Sequence, residues 1–422
     1  MIKQNETKAD IVIIGAGVIG ICTAYFLSQS GREIIVVDKD EVCSGCSYGN
    51  AGLIVPSHCV PLAEPGVIKK GMKWILNSES PFYIKPRLDR ELLDWLWLFR
   101  GACNEAHVNR SMPVISDLTF ESLDLYNEII GNDGINFGFE QRGSLYLCNT
   151  KKALDELVEK MGQLQTVGIE TELLDQVQTQ QKVGELKVNA VGSVYYPQDA
   201  HLQPVRFVRE LAKKIIESGV KIQSKTEVLG FERSGNRLTK VRTTRGDIEA
   251  NEVVIASGAW SPAIARQLGL RLKIQAGKGY SITLERPKVS ADLPLMLVEM
   301  KVGVTPMGDT IRIAGTLEMA GLNLAINERR IQGIFKSVPQ YLPDLDPNLC
   351  RLIEVWRGLR PCTPDGLPYL GRAENFENLT VAAGHAMIGV SLGPVTGRIA
   401  SNIVLREDPG FDLTPLRLDR FT

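Results

Sequence analysis

Neither sign of charge dominates this chain. Across 422 residues, 48 Lys and Arg face 49 Asp and Glu, a formal net charge of −1. That balance gives no electrostatic reason to expect nucleic acid as a partner. Cysteine is scarce, with 8 irregularly spaced residues. This excludes a disulfide-stapled scaffold and fits a reducing compartment. Cys43 and Cys46 form a Cys-Ser-Gly-Cys run, but no second such pair exists and the four histidines (His58, His107, His201, His385) are scattered. The pair reads as two small residues in a glycine-rich loop, with no metal expected.

A membrane-spanning run is also lacking. Residues 11–27 carry no charge, but they are seventeen in number where a span wants roughly 20. Glu6 and Asp10 spoil the basic flank of a signal peptide, and no small-residue cleavage site follows. A cytoplasmic location is expected. There is no internal repeat or low-complexity linker, and 44% apolar against 23% charged residues excludes a disordered chain. The length implies two or three domains.

What is present begins at residue 11. Ile11–Ile14 reads as a fully buried strand, followed by Gly15-Ala-Gly17-Val-Ile-Gly20, a helix over Val18–Ser30 and a second buried strand at Glu33–Val37. Asp38 ends that strand, 23 residues after Gly15. This is the dinucleotide-binding arrangement: Gly15 makes the turn, Gly17 lets backbone approach a pyrophosphate, and Gly20 packs helix on strand. The helix N-terminus offers free N–H groups to the phosphates. Asp38 would accept from a ribose 2′-OH. The motif does not decide between NAD and FAD.

Further along, residues 66–131 read as mainly helical and Phe137–Cys148 as strands. Helices are expected at Lys152–Val167, Pro204–Ser218 and Glu328–Val338, and strands at Lys221–Gln223, Glu227–Glu232, Glu252–Ala256, Tyr280–Leu284 and Ile311–Gly315. Nucleotide-type elements occur early, midway and late, so two domains are expected to interleave.

Three later segments carry chemistry. Val253–Gly258 is a strand ending in Ser257-Gly258-Ala-Trp260, able to close a second backbone segment on a dinucleotide. In Trp356-Arg-Gly-Leu-Arg360-Pro-Cys-Thr-Pro-Asp365, Pro361 holds Arg360 extended, so Arg357 and Arg360 point to opposite faces. A guanidinium fork suits a carboxylate. Finally Gly384-His385-Ala-Met-Ile388-Gly389-Val390-Ser391-Leu-Gly393-Pro394 opens a helix through Leu405. Its N–H donors would face the anionic edge of a reduced flavin.

Together these residues resemble the D-amino acid oxidase-like family of FAD enzymes, nearest the D-amino acid dehydrogenase branch, with glycine and sarcosine oxidases as cousins. The similarity runs over essentially the whole chain. It takes in GAGVIG, the Gly49-Asn50-Ala51-Gly52 loop, the tryptophan-rich Pro61–Asn104 stretch, the Asp199–Pro204 turn, Gly277-Lys-Gly-Tyr280-Ser and the two C-terminal segments. The fold implied is α/β: a Rossmann-like FAD-binding domain (1–90, 190–270 and 351–422) interleaved with an α+β substrate domain on an antiparallel sheet (91–189 and 271–350). The resemblance implies that FAD is held by Gly15, Gly17, Ile19, Gly20, Asp38, Lys39, Ser47, Asn50, Ala51, Gly52, Leu53, Val228, Ser257, Gly258, Trp260, His385, Ile388, Gly389, Val390 and Ser391. The flavin is expected to be noncovalent, because Gly358 stands where covalent relatives carry cysteine and Cys362 is offset. Arg360 matches the arginine that pairs with the substrate carboxylate. Glycine oxidases present a tyrosine from the strand matching Val302–Pro306; this chain has none there, and Tyr280 is the nearest substitute as a second catalytic residue.

The activity implied is oxidative deamination of a D-amino acid: hydride transfer from the alpha carbon to flavin N5 gives a 2-oxo acid and ammonia, with electrons passing to a quinone or dye. Alternatives are a cyclic or secondary amino acid (D-proline, hydroxyproline, sarcosine, glycine), an oxidase, an NAD-dependent dehydrogenase, or a flavin-binding subunit of a larger complex. Quinone as acceptor would require peripheral membrane contact. Leu92, Leu93, Trp95, Leu96, Trp97, Leu98 and Phe99 supply an apolar segment, with Lys69, Lys70, Lys73, Lys85, Arg87 and Arg90 before it. Burial of the same segment in the core is the competing expectation.

Overall fold

The computed structural model describes residues 7–69, 71, 82–85 and 87–421. Its first sheet grows from the uncharged runs. Ile11–Ile14 and Ile34–Val37 are buried throughout, as strands covered on both faces must be. The strand Thr7–Ile14 pairs in parallel with both neighbours, Val12 opposite Ile35 on one side and Val253 on the other. Strand order is Val228–Ser234, Arg237–Thr243, Gly246–Ile255, Thr7–Ile14, Ile34–Val37 and Lys221–Gln223, with Leu379–Ala383 also alongside Gly246–Ile255. The helices Val18–Ser28, Pro204–Glu217 and Gly393–Leu405 pack together over one face. Ile21, Leu211 and Ile399 lie in that core, each fully buried.

The second sheet is mostly antiparallel. Leu352–Cys362, Gln275–Glu285, Thr310–Met319 and Val302–Met307 follow one another, then Leu295–Leu297, Ser144–Cys148, Gly192–Tyr196 and Glu172–Asp175. The amphipathic helix Glu328–Tyr341 puts Ile331, Ile334 and Val338 into the apolar core of this sheet. A bulge interrupts the pairing of Gln275–Glu285 with Thr310–Met319, and Thr316 there has φ +69°. A left-handed threonine in a bulge is uncommon, and its carbonyl has a use described below.

Interleaving is present, but three boundaries differ from those expected. Phe82–Ile84, Gly192–Tyr196 and Leu352–Cys362 were assigned with the dinucleotide-binding segments; all three belong to the second sheet. Conversely, the long helix Glu105–Asp133 buries Met112, Ile115 and Tyr126 in the core of the first unit. A short apolar strand fits either sheet equally well by pattern alone, so only pairing partners decide.

The tryptophan-rich segment is the helix Arg90–Ala102, capped by Asp89. Leu92 and Trp95 are buried, whereas Leu93 and Trp97 are 59% and 72% exposed. Burial on all sides is therefore not what this helix does. Lys70, Lys73 and Trp74 lie outside the described residues. Among the described residues, no helix is long and apolar enough to cross a membrane.

Candidate active site

The turn at Gly15–Gly20 is built around two close approaches. A Cβ on Gly20 would collide with the Gly15 carbonyl, and Gly15 itself has φ +117°. Gly17 caps the helix without a side-chain bond, and the first helical turn carries no acid. Ser47 Oγ accepts from Val18 N–H at 3.0 Å. Among the described residues, the N–H groups of Gly17, Ile19 and Gly20 have no acceptor. Free donors at a helix N-terminus fit a pyrophosphate.

Asp38 stands at the end of Ile34–Val37. Its Oδ2 accepts from Ala16 N–H at 2.7 Å and its Oδ1 from Asp40 N–H at 2.9 Å, leaving lone pairs for a ribose hydroxyl. Burial raises its carboxyl above the ordinary range while those backbone bonds pull it down. Lys39 Nζ lies 3.9 Å from the centre of the Trp260 ring. Ser257 Oγ donates to Ile14 O at 2.8 Å, fixing the turn before Gly258, whose φ is +55° with open space where a Cβ would stand. Val228 begins the strand Val228–Ser234 on the same sheet. Thr226 N–H donates to Asp38 O at 2.7 Å, two residues before Val228, and a Cβ on Gly15 would meet Ala256 and Ser257, so these segments adjoin and suit an adenosine diphosphate moiety.

The two glycine-rich loops are stitched together. Asn50 Nδ2 donates to Met387 O at 3.5 Å, its Oδ1 accepts from Gly52 N–H at 2.8 Å, and Ser391 Oγ donates to Leu53 O at 2.9 Å. Ala51 lies within this stitched loop. His385 is buried, with Nε2 3.0 Å from Thr396 Oγ1, and burial pushes its pKa down to about 3. Burial thus keeps the ring neutral. Ile388 N–H closes a turn on His385 O at 3.0 Å; among the described residues, the N–H groups of Gly389, Val390 and Ser391 have no acceptor. Donors in that position fit the electron-rich edge of a flavin ring.

Arg360 leads to the other half. Side chains alternate across a strand, so the register places Arg360 with Gly277, Gly358 with Gly279, and Trp356 with Ser281, Ala314 and Gly303 on one face. Glu354, Thr283, Arg312 and Thr305 form the next row of that face. The Arg360 guanidinium lies over Gly279, where a Cβ would overlap it. Its Nη1 donates to Thr316 O at 2.5 Å, the carbonyl that the bulge exposes. Trp356 covers Gly358 and Gly49 in the same way, so the 47–53 loop lies across this face. The hydroxyls of Ser281 and Thr305 are buried and, among the described residues, have no hydrogen-bond partner. The thiol of Cys362 is pushed up to about 12 by burial, which keeps it out of thiolate chemistry.

Tyr280 is not part of this face. It pairs with Arg357 on the opposite side of the sheet. Its hydroxyl donates to Glu318 Oε2 at 3.0 Å and accepts from Asn327 N–H at 3.2 Å. Glu318 in turn pairs with Lys278, both nearly fully buried, at 3.5 Å. Parity explains the difference, since 280 and 360 fall on opposite sides once Gly277 is opposite Arg360. Arg357, as expected, points away from Arg360 and donates to Leu324 O at 2.9 Å. Sequence reasoning overlooked Gly279, Trp356 and Thr316. The period of two alone reveals none of them: Gly279 and Trp356 need the strand register, and Thr316 needs the bulge.

Comparison with known proteins bears on family and fold. A family model described as FAD dependent oxidoreductase (DAO) matches residues 10–403. The D-amino acid dehydrogenase of Granulibacter bethesdensis is 31% identical over 417 residues, covering 97% of this chain and 99% of that protein. That of Vibrio atlanticus is 31% identical over 405 residues, covering 94% and 95%. Among solved structures, glycine oxidase from Geobacillus kaustophilus superposes with a TM-score of 0.80 at 23% identity, covering 98% of this chain and 99% of its own. L-proline dehydrogenase from P. horikoshii gives 0.77 at 20% identity, covering 99% and 98%.

Proposed function

We propose, from the premise that this chain belongs to the DAO family of FAD-dependent oxidoreductases, that it is a dehydrogenase oxidising the Cα–N bond of D-amino acids. The observation that carries the reading is Arg360, placed over Gly279 on the sheet face that the 47–53 loop covers. Relatives named D-amino acid dehydrogenase support the choice of substrate class.

The Gly15–Gly20 turn and the His385–Ser391 loop would hold FAD noncovalently, and the flavin would supply the two-electron acceptor that side chains lack. The protein's part is orientation and dryness. Thr316 O engages one nitrogen of Arg360, and the remaining N–H donors form a fork for the substrate carboxylate. Trp356 and Gly49 wall the site beside it. The Ser281 and Thr305 hydroxyls give its floor two polar points. Among the described residues, no side chain is placed to remove a proton: Glu354 accepts from Tyr48 Oη at 3.3 Å, and burial keeps His385 from taking one up. The substrate amine therefore enters unprotonated, and the imino acid product hydrolyses in water to a 2-oxo acid and ammonia.

The same reading extends to a quinone or dye as electron acceptor and to peripheral membrane contact. Exposed Leu93 and Trp97 beside Arg90 and Arg100 support it, an apolar face with cations at hand. The experiment that tests the assignment is anaerobic reaction of the FAD-loaded protein with paired D- and L-amino acids, repeated in Arg360→Lys.

A further inference from the structure

A cleft of about 520 Å³ opens between the start of the helix Pro204–Glu217 and the hairpin formed by Val302–Met307 and Thr310–Met319. Arg206, Arg209, Lys213, Glu210, Thr310 and Arg312 are among the residues lining it. Lys213 is paired with Glu210 at 2.7 Å. Arg206, Arg209 and Arg312 have no carboxylate within ion-pairing distance among the described residues. Three guanidinium groups outside any ion pair among the described residues therefore share one concavity.

Arg312 distinguishes this cleft from an ordinary solvated basic face. It is only 7% exposed. A buried charge ordinarily has a counter-ion; Glu354, in the same row of the sheet, acts on this one without forming an ion pair, and the hydrogen bonds of the guanidinium go to neutral groups: Nε donates to Thr283 Oγ1 at 3.3 Å, and Nη1 donates to Tyr48 O and Asn50 O, each at 3.0 Å. Nη2 has no partner among the described residues. Arginine does not shed its proton to escape burial, so the charge persists, and its free Nη2 can take an anion. The two carbonyls it holds belong to the 47–53 loop, so the same guanidinium touches the cofactor-holding loop from outside the dinucleotide site.

We propose that this cleft is a second anion site, specific for a phosphate group, either free or as the terminal group of a small phosphate ester. Guanidinium forks match the oxygens of a tetrahedral anion two at a time, which a monovalent halide cannot exploit. The volume accommodates a ligand larger than the bare ion. Occupancy neutralises Arg312 and braces the Tyr48 and Asn50 carbonyls.

Calorimetric titration of the FAD-loaded protein tests this, with inorganic phosphate in one arm and glycerol 3-phosphate in the other, ionic strength being held constant with chloride. Saturable binding is expected in at least one arm. The exposed pair Arg206→Gln and Arg209→Gln, combined, should weaken it by about tenfold or more while the flavin spectrum stays that of wild type. The absence of saturable binding in both arms, or affinity unchanged in the double variant, overturns the assignment.

Discussion

The guanidinium of Arg360 occupies the space in which a side chain at Gly279, on the neighbouring strand, would stand. The position of the arginine thus depends on the lack of a side chain at Gly279. Gly279→Ala should displace Arg360 and raise KM for amino acids, with FAD still bound. Arg360→Lys should lower kcat/KM by about 100-fold, since a point charge cannot reproduce the fork. Steady-state kinetics on FAD-saturated protein checks both, and a normal KM in Gly279→Ala would contradict the placement.

Tyr280→Phe should behave differently. The hydroxyl bridges Glu318 and Asn327 on the far side of the sheet, so its removal should cost stability, about 1–3 kcal/mol, by leaving buried partners unpaired. Turnover should stay near wild type. Denaturant unfolding alongside kcat measures the split; loss of kcat at unchanged stability would restore the tyrosine to the catalytic face.

Acid should destabilise the fold. Burial pushes His201 down to about 4 and His385 to about 3, and pushes Asp199 up to about 6 despite its bonds from Ser144 and Ser57. Between pH 6 and pH 4 the unfolded chain takes up two histidine protons that the folded one refuses, while the folded chain takes one at Asp199. The net uptake of one proton on unfolding means stability falls by about 1.4 kcal/mol per pH unit as pH drops, from these three groups. Asp199 acts in the opposite sense, losing stability as pH rises toward 6. His385→Asn should flatten the slope in urea unfolding at pH 6 and pH 4; an unchanged slope would contradict the buried neutral histidine.

Membrane contact predicts co-sedimentation of flavin-loaded protein with anionic liposomes, reduced in Trp97→Ser. Trp97 is exposed, so the variant should fold. Wild type remaining in the supernatant would remove the membrane reading and leave the enzyme assignment standing.

The dinucleotide half was legible because its chemistry is local. Gly15, Gly17, Gly20 and Asp38 lie in one strand–turn–helix–strand unit, and each acts through the backbone next to it. The role given to Arg360 came through the family resemblance, and Pro361 accounted only for its extended backbone. What sits around Arg360 was not legible, because it comes from register. Gly279 and Trp356 matter only once the strands Gln275–Glu285 and Leu352–Cys362 are known to pair with Gly277 opposite Arg360. Tyr280 failed for the same reason, one residue from the correct face. Thr316 depends on a bulge, which no period of two announces. The domain boundaries slipped where short apolar strands such as Gly192–Tyr196 had two sheets open to them.

The most direct test of the account is the flavin absorbance of anaerobic protein mixed with matched D- and L-amino acids. Bleaching of the yellow band by D-amino acids and not by their L-enantiomers, with bleaching in Arg360→Lys requiring far higher substrate concentrations, is the result predicted. Bleaching by L-amino acids alone, or none with any D-amino acid by flavin-loaded protein, would contradict it.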